Sequence, residues 1–181
     1  MLDSNLKADD LSDLQDMLDH YRITKVLAEY CHGCDRLDQD LMAGTYDDDS
    51  WDDHGPNKMD GKKFAAYCMT SLGNHSNSCS HQLGQSLIKV DGDTAGAETY
   101  FIATLRVPRD GGEVLNQIAG RYVDKLQRVD GKWKIKHRLC VRDWSITHTV
   151  KEDFLANDPI PFIQGGRLGK DVAVKVLGFD K

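Results

Sequence analysis

The sequence predicts an α+β domain, with helices in the first half and an antiparallel meander in the second. Apolar residues recur at helical spacing from Leu11 to Leu72. After Ser80 the period becomes that of strands separated by short Asp/Gly turns. Helices followed by a run of strands place the helices on one face of a curved sheet. At 181 residues the chain fits one domain with a core of its own.

Residues 1–10 read as a loose polar tail. Leu11, Leu14, Met17 and Leu18 predict a short amphipathic helix, and Tyr21 to Cys34 a second. Leu37, Leu41 and Met42 mark a further short helical turn. The stretch 46–60, YDDDSWDDHGPNKMD, reads as loop, with Gly-Pro punctuation and a solvated acidic cluster. That cluster lacks the glycine and the distal glutamate of a calcium loop. Phe64, Ala65, Cys68 and Leu72 restore helical spacing over 61–73, and 73–79 is again loop. Four strands follow, over 81–90, 95–107, 114–129 and 133–144. Their connections, DGD, RDGG and DGK, supply the residues that hairpins use to reach positive φ. The last part, 149–181, reads as a tail that covers the pocket or a neighbouring subunit.

Composition narrows the function. The net charge is −6 with no basic stripe, which argues against nucleic acid or an anionic membrane as partner. No apolar run reaches transmembrane length and no signal peptide is read, so a cytoplasmic protein is expected. Five cysteines, an odd number, argue against a disulfide framework. Cys31 and Cys34 form a C-x-x-C at the end of a helix, where the dipole disfavours a thiolate; they read as small buried residues. Neither a G-x-S-x-G, a phosphate-binding glycine loop nor a zinc signature is present.

One stretch points to chemistry. Leu27, Cys31 and Asp35 lie at i, i+4 and i+8 on the buried face of the helix over 21–34, so an apolar ridge ends in a carboxylate. A carboxylate in that position needs a partner. His81, at the mouth of the first strand of the meander, is the candidate, since a histidine is the usual partner when such a pair moves protons. Tyr30 on the same helix, and Arg138, Arg142 and Arg121 on strands, are polar candidates beside them. Taken singly, each also reads as an ordinary packed or ion-paired residue.

Taken together they follow a pattern: Tyr30-x4-Asp35-Arg36-x-Asp38, Ser80-His81-x2-Gly84, Val90-Asp91-Gly92-Asp93-Thr94-Ala95, and Gly131-Lys132-Trp133-x-Ile135-x2-Arg138. Over about residues 10–148 this resembles the SnoaL-like branch of the NTF2-like superfamily, and within it the lyases scytalone dehydratase, bile-acid 7α-dehydratase and lindane dehydrochlorinase. The resemblance implies a cone-shaped α+β barrel over 1–148, no metal or organic cofactor, a small apolar or cyclic ligand, and a homotrimer. It makes Asp35 the carboxylate of a catalytic dyad, His81 the general base, Tyr30 a polar residue of the pocket and Arg138 its basic lining residue. Strict alternation puts Arg138 on the opposite strand face from Trp133 and Ile135. Either those two face a neighbouring subunit or a bulge re-aims the arginine; Arg142, on the face of Arg138, is the substitute. Trp133, Ile135 and Val141 on one face are read as surface for an oligomer.

The implied activity is a cofactor-independent elimination, a dehydration of a small cyclic or polycyclic hydroxy or carbonyl compound, with neutral His81 as base. Two alternatives stay open: an isomerase-like or cyclase-like proton transfer with Asp35 as base, and a non-catalytic binding or assembly module.

Overall fold

In the computed structural model, residues 7–153 and 162–178 are described. The order of elements is α1 (Ala8–Arg36), α2 (Gln39–Gly44), β1 (Tyr46–His54), β2 (Asn57–Met59), α3 (Gly61–His75), β3 (Ser78–Asp91), β4 (Thr94–Arg109), β5 (Gly112–Val129), β6 (Lys132–Val150) and α4 (Val172–Leu177). The six strands form one curved sheet in the order β2-β1-β6-β5-β4-β3, which does not close. All neighbours are antiparallel except β1 and β6. The core lies between α1, α3 and the inner sheet face, with Ile23, Leu27, Tyr30, Phe64, Phe101, Tyr122, Leu126 and Ile135 at its centre.

The two helices expected over 11–34 are one. Asp19 and His20 look like a polar break, yet Asp19 is buried within the continuous α1. Its carboxylate accepts from both terminal nitrogens of Arg128 at 2.8 Å and from Trp133 Nε1 at 2.9 Å. A carboxylate so satisfied can face a core, and the Arg128 hydrogen bonds hold it in its ionised form despite burial. Leu11, Met17 and Leu18, expected on a buried stripe, are exposed in this chain. Of the expected N-terminal tail, residues 1–6 lie outside the described residues, and Ala8 to Asp10 belong to α1.

The acidic stretch read as loop is strand. β1 lies beside β6, with Asp52 opposite Arg138, and β2 folds back on β1. The signal was hidden because the buried residues here are mostly polar: Ser50, Asp52 and Tyr46. Asp47 and Asp49 are held by Lys136 at 3.0 and 3.1 Å, Asp53 by Lys58 at 2.9 Å. The four-strand meander is as the period predicts, though β6 runs on to Val150.

Two bulges in β6 decide what faces the core. Leu126 pairs with Ile135 and Lys125 with His137, so Lys136 is an extra residue. Arg138 thereby joins Trp133 and Ile135 on the inner face. Gly120 pairs with Arg142 and Ala119 with Trp144, so Asp143 is a second extra residue. A Cβ on Gly120 would stand 2.0 Å from the Val141 carbonyl oxygen, so glycine permits this close approach. Trp133 and Ile135 are fully packed inside the monomer, which removes them from any subunit surface. The outer sheet face carries Tyr100, Ile102, Leu139, Trp144 and Ile146, all substantially exposed.

Candidate active site

A cavity of about 230 Å³ opens between α1, α3 and the inner faces of β1 and β3–β6. Phe101 and Tyr122 stack at 4.3 Å between centroids to form its floor, and Phe64, Leu72, Ala103, Leu105 and Ile118 add apolar wall. Polar groups enter at a few points: His81, His54, Asn57, Ser71, Arg142 and the hydroxyls of Tyr30, Tyr67 and Tyr122. An apolar hollow with few polar groups is the usual form of a small-molecule site.

Asp35 stands just outside this cavity, beside the lining residues Cys34 and His81, where α1 is about to stop. Leu37 turns into the left-handed region (φ 55°) and Asp38 N–H donates back to the Gly33 carbonyl at 2.8 Å. Gly33 leaves room for α2, since a Cβ there would lie 2.7 Å from Met42 N. Asp35 then meets His81 on β3. The His81 backbone N–H donates to Asp35 Oδ2 at 2.8 Å, and His81 Nδ1 lies 2.6 Å from Oδ1. Both carboxylate oxygens are therefore engaged by one residue, and His81 Nε2 is the ring nitrogen left toward the cavity. Burial works against a charge on His81, but the hydrogen bonds to Asp35 and Cys79 outweigh it and lift its pKa to about 9. Burial likewise opposes the Asp35 carboxylate; the bonds from His81 overcome it and hold the group below the ordinary range.

The other expected site residues divide. Tyr30 is buried and lines the cavity, edge-on to Tyr46 and Tyr122. Burial, with the neighbouring phenols and Asp52, pushes its pKa well up, so its hydroxyl keeps its proton. Arg138 is not a lining residue. It is fully buried behind the wall, in a two-pronged ion pair with Asp124 at 2.8 and 2.7 Å, and its guanidinium lies 4.0 Å from the Tyr30 ring and 4.1 Å from that of Tyr122. Arg142, next but one on the same inner face of β6 after Cys140, does line the cavity. Arg121 is outside, between Glu98 and Asp143.

A second histidine reaches the same cavity and was not visible in the sequence. His54, at the end of β1, bonds through Nδ1 to Asp52 Oδ1, and the Tyr46 hydroxyl donates to Asp52 Oδ2. The His54 ring stacks on Phe64 at 4.3 Å and stands 6.2 Å from Tyr122, while His81 stands 6.3 Å from Phe101. His54 thus stands beside the Tyr122 ring of the floor and His81 beside the Phe101 ring. The only signal was the even spacing of Tyr46, Ser50, Asp52 and His54, which puts them on one face of a strand.

Cys34, Asp35 and His81 offer donor atoms within 4.8 Å of one another, a spacing open to a metal ion. An ion there would have to replace the His81–Asp35 hydrogen bond. Burial raises the pKa of Cys31 to about 12, and the hydrogen bond with Cys68, together with burial, raises that of Cys34 well above its ordinary value, so both are protonated at neutral pH.

With this geometry in hand, the sequence matches the profile of the SnoaL-like domain over residues 15–139. The chain belongs to the SnoaL-like family. No curated protein sequence matches it significantly. Solved structures share the fold at low identity. A candidate scytalone dehydratase from Novosphingobium aromaticivorans is 20% identical, with 75% of this chain and 91% of that one covered and a TM-score of 0.65. The hexachlorocyclohexane dehydrochlorinase LinA type 3 from Novosphingobium barchaimii is 16% identical over 84% and 99%, TM-score 0.68. The Kfla4162 protein from Kribbella flavida is 16% identical over 72% and 95%, TM-score 0.66. Among the described residues of this SnoaL-like chain, no helix is long and apolar enough to cross a membrane.

Proposed function

We propose that this SnoaL-like protein is a cofactor-independent lyase that eliminates water, or a comparable leaving group, from a small cyclic hydroxy or carbonyl compound. The observation that carries the reading is the His81–Asp35 pair at the end of an apolar cavity, with the carboxylate spent on the histidine and Nε2 facing the ligand space. His81 in its neutral form takes a proton from carbon next to a carbonyl. The C–H electron pair becomes the new double bond, and the bond to the leaving group breaks. Asp35 fixes the tautomer and stabilises the imidazolium. Tyr30 and Arg142 bind the substrate oxygen, and Arg138 acts from behind by polarising Tyr30 and Tyr122. The neighbours named for a scytalone dehydratase and a dehydrochlorinase agree with an elimination.

Asp35 as the base, the isomerase-like alternative, fits less well, because both of its oxygens already accept from His81 and it does not line the cavity. The cavity is also smaller than the roughly 300–1,000 Å³ of drug-sized sites, which favours one- or two-ring substrates over steroids. A panel of cyclic β-hydroxy ketones should yield enones, seen as new ultraviolet absorbance. Migration of the double bond in β,γ-enones with no elimination from any hydroxy ketone would move the assignment to an isomerase.

The same reading includes a homo-oligomer, a trimer by the family resemblance, in a cytoplasmic setting that suits five free thiols. The support is the exposed set Tyr100, Ile102, Leu139, Trp144 and Ile146 on the outer sheet face, with Leu11, Met17 and Leu18 on α1. Light scattering at micromolar concentration should give about three times the 20.3 kDa chain mass, and a monomer mass would refute it. The tail belongs to the site in this proposal. Leu168 N–H donates to the Arg36 carbonyl at 2.8 Å and Arg167 to the Ser76 carbonyl at 2.7 Å, so the described segment 162–178 closes the molecule behind the dyad.

A further inference from the structure

We infer that His54 is a second catalytic group of this site, the proton donor to the oxygen that leaves the substrate, acting in the same cavity as the base His81. The inference rests on the elimination reading above and adds to it the class of leaving group for which the site is built: an alcohol oxygen.

The geometry is that of a held acid. Asp52 is fully buried, and its two oxygens are occupied by the Tyr46 hydroxyl and by His54 Nδ1. Burial and the adjacent Asp52 push the Tyr46 pKa far up, so the phenol stays a donor and Asp52 an acceptor. Tyr46 is itself locked under α3, where a Cβ on Gly61 would stand 2.2 Å from its ring. The stack on Phe64 fixes the plane of the His54 ring. With Nδ1 bound to Asp52, the nitrogen left toward the cavity is Nε2. A tyrosine, a carboxylate and an imidazole in series, ending at a ligand space, fix one tautomer and one direction of transfer.

The step balances. His81 Nε2 takes the proton on carbon, and the C–H pair forms the carbon–carbon double bond. The C–O pair departs with oxygen, and oxygen takes the proton of His54 Nε2, giving water. His54 ends neutral and His81 charged, and exchange of one proton with solvent resets both. Without His54 the leaving group is hydroxide. A chloride leaving group needs no proton.

The test is a matched pair of cyclic ketones, one with a β-hydroxyl and one with a β-chloride, given to the full-length protein and to His54→Gln, His54→Phe and His81→Ala. His54→Phe keeps the stack on Phe64, and circular dichroism checks that each variant is folded. We expect the His54 variants to lose about 10²–10⁴-fold in turnover of the hydroxy ketone and about tenfold or less on the chloro ketone, while His81→Ala loses both. Equal losses on the two probes would reduce His54 to a positioning residue, and no loss on either would remove it from the mechanism. Should neither variant fold, the wild-type pH profiles decide: a hydroxy-ketone profile that matches the chloro-ketone profile, with no additional fall at high pH, would mean that no group protonates the leaving oxygen. Wild-type protein inert on both probes would sink the elimination reading and this inference with it, whereas active wild type with unaffected His54 variants would sink only the inference.

Discussion

His81→Ala is expected to abolish elimination and, more directly, the exchange of substrate α-protons with solvent deuterium. Exchange isolates the base, because it needs proton removal and return but no departing group. General-base assistance is worth about 10²–10⁴-fold, so the loss should fall in that range or beyond. The pH dependence follows from the site. The Asp35 and Cys79 hydrogen bonds outweigh burial and lift the His81 pKa to about 9, so below that value most of the base is protonated. Exchange by wild-type protein should rise about tenfold per pH unit below the midpoint and level off above it. Asp35→Asn removes the charge that holds the proton and leaves burial, which opposes it, so the midpoint should move down while the plateau rate falls. Nuclear magnetic resonance of a cyclic ketone in deuterated buffer measures both quantities. A wild-type profile flat from pH 6 to 10, or His81→Ala with near wild-type exchange, would rule out His81 as the base.

Arg138→Met should be the most destabilising single change at the site. Arg138 and Asp124 have no solvent exposure, and the substitution strands the carboxylate among aromatic rings. Breaking a buried pair by removing one partner costs about 3–5 kcal/mol, a large part of the roughly 5–15 kcal/mol that holds a domain folded. At roughly 2–4 °C per kcal/mol for a chain of this size, the melting temperature should fall by about 6–20 °C. The double variant Arg138→Met/Asp124→Leu should recover most of that loss, because it removes the stranded charge. A single variant melting within about 2 °C of wild type would show that the pair carries little stability.

The features that could be read from sequence are those with a local signature. The meander was legible because each hairpin carries Asp and Gly at its turn, and α3 because Phe64, Ala65, Cys68 and Leu72 repeat at helical spacing. The meeting of Asp35 with His81 could be read because an apolar ridge that ends in a carboxylate demands a partner. What could not be read depends on distant partners. Asp19 looks like a helix break until Arg128 and Trp133 arrive from the far end of the chain. Asp52 looks solvated, being one of five aspartates in seven positions, until Tyr46 and His54 enclose it. Arg138 looked accessible to a ligand because nothing local shows that Asp124 and two tyrosine rings close over it.

The bulges at Lys136 and Asp143 make β6 behave like a message with two frameshifts. On a regular strand, parity alone tells which residues meet the ligand. Here the frame changes once before Arg138 and again after Arg142, so inside and outside are set by counting as much as by chemistry. A related chain that lacks either bulge will therefore be matched wrongly along this strand unless a one-residue gap is allowed there. The error would fall on the cation that faces the cavity, where a shift by one position exchanges Arg142 for Val141 or Asp143.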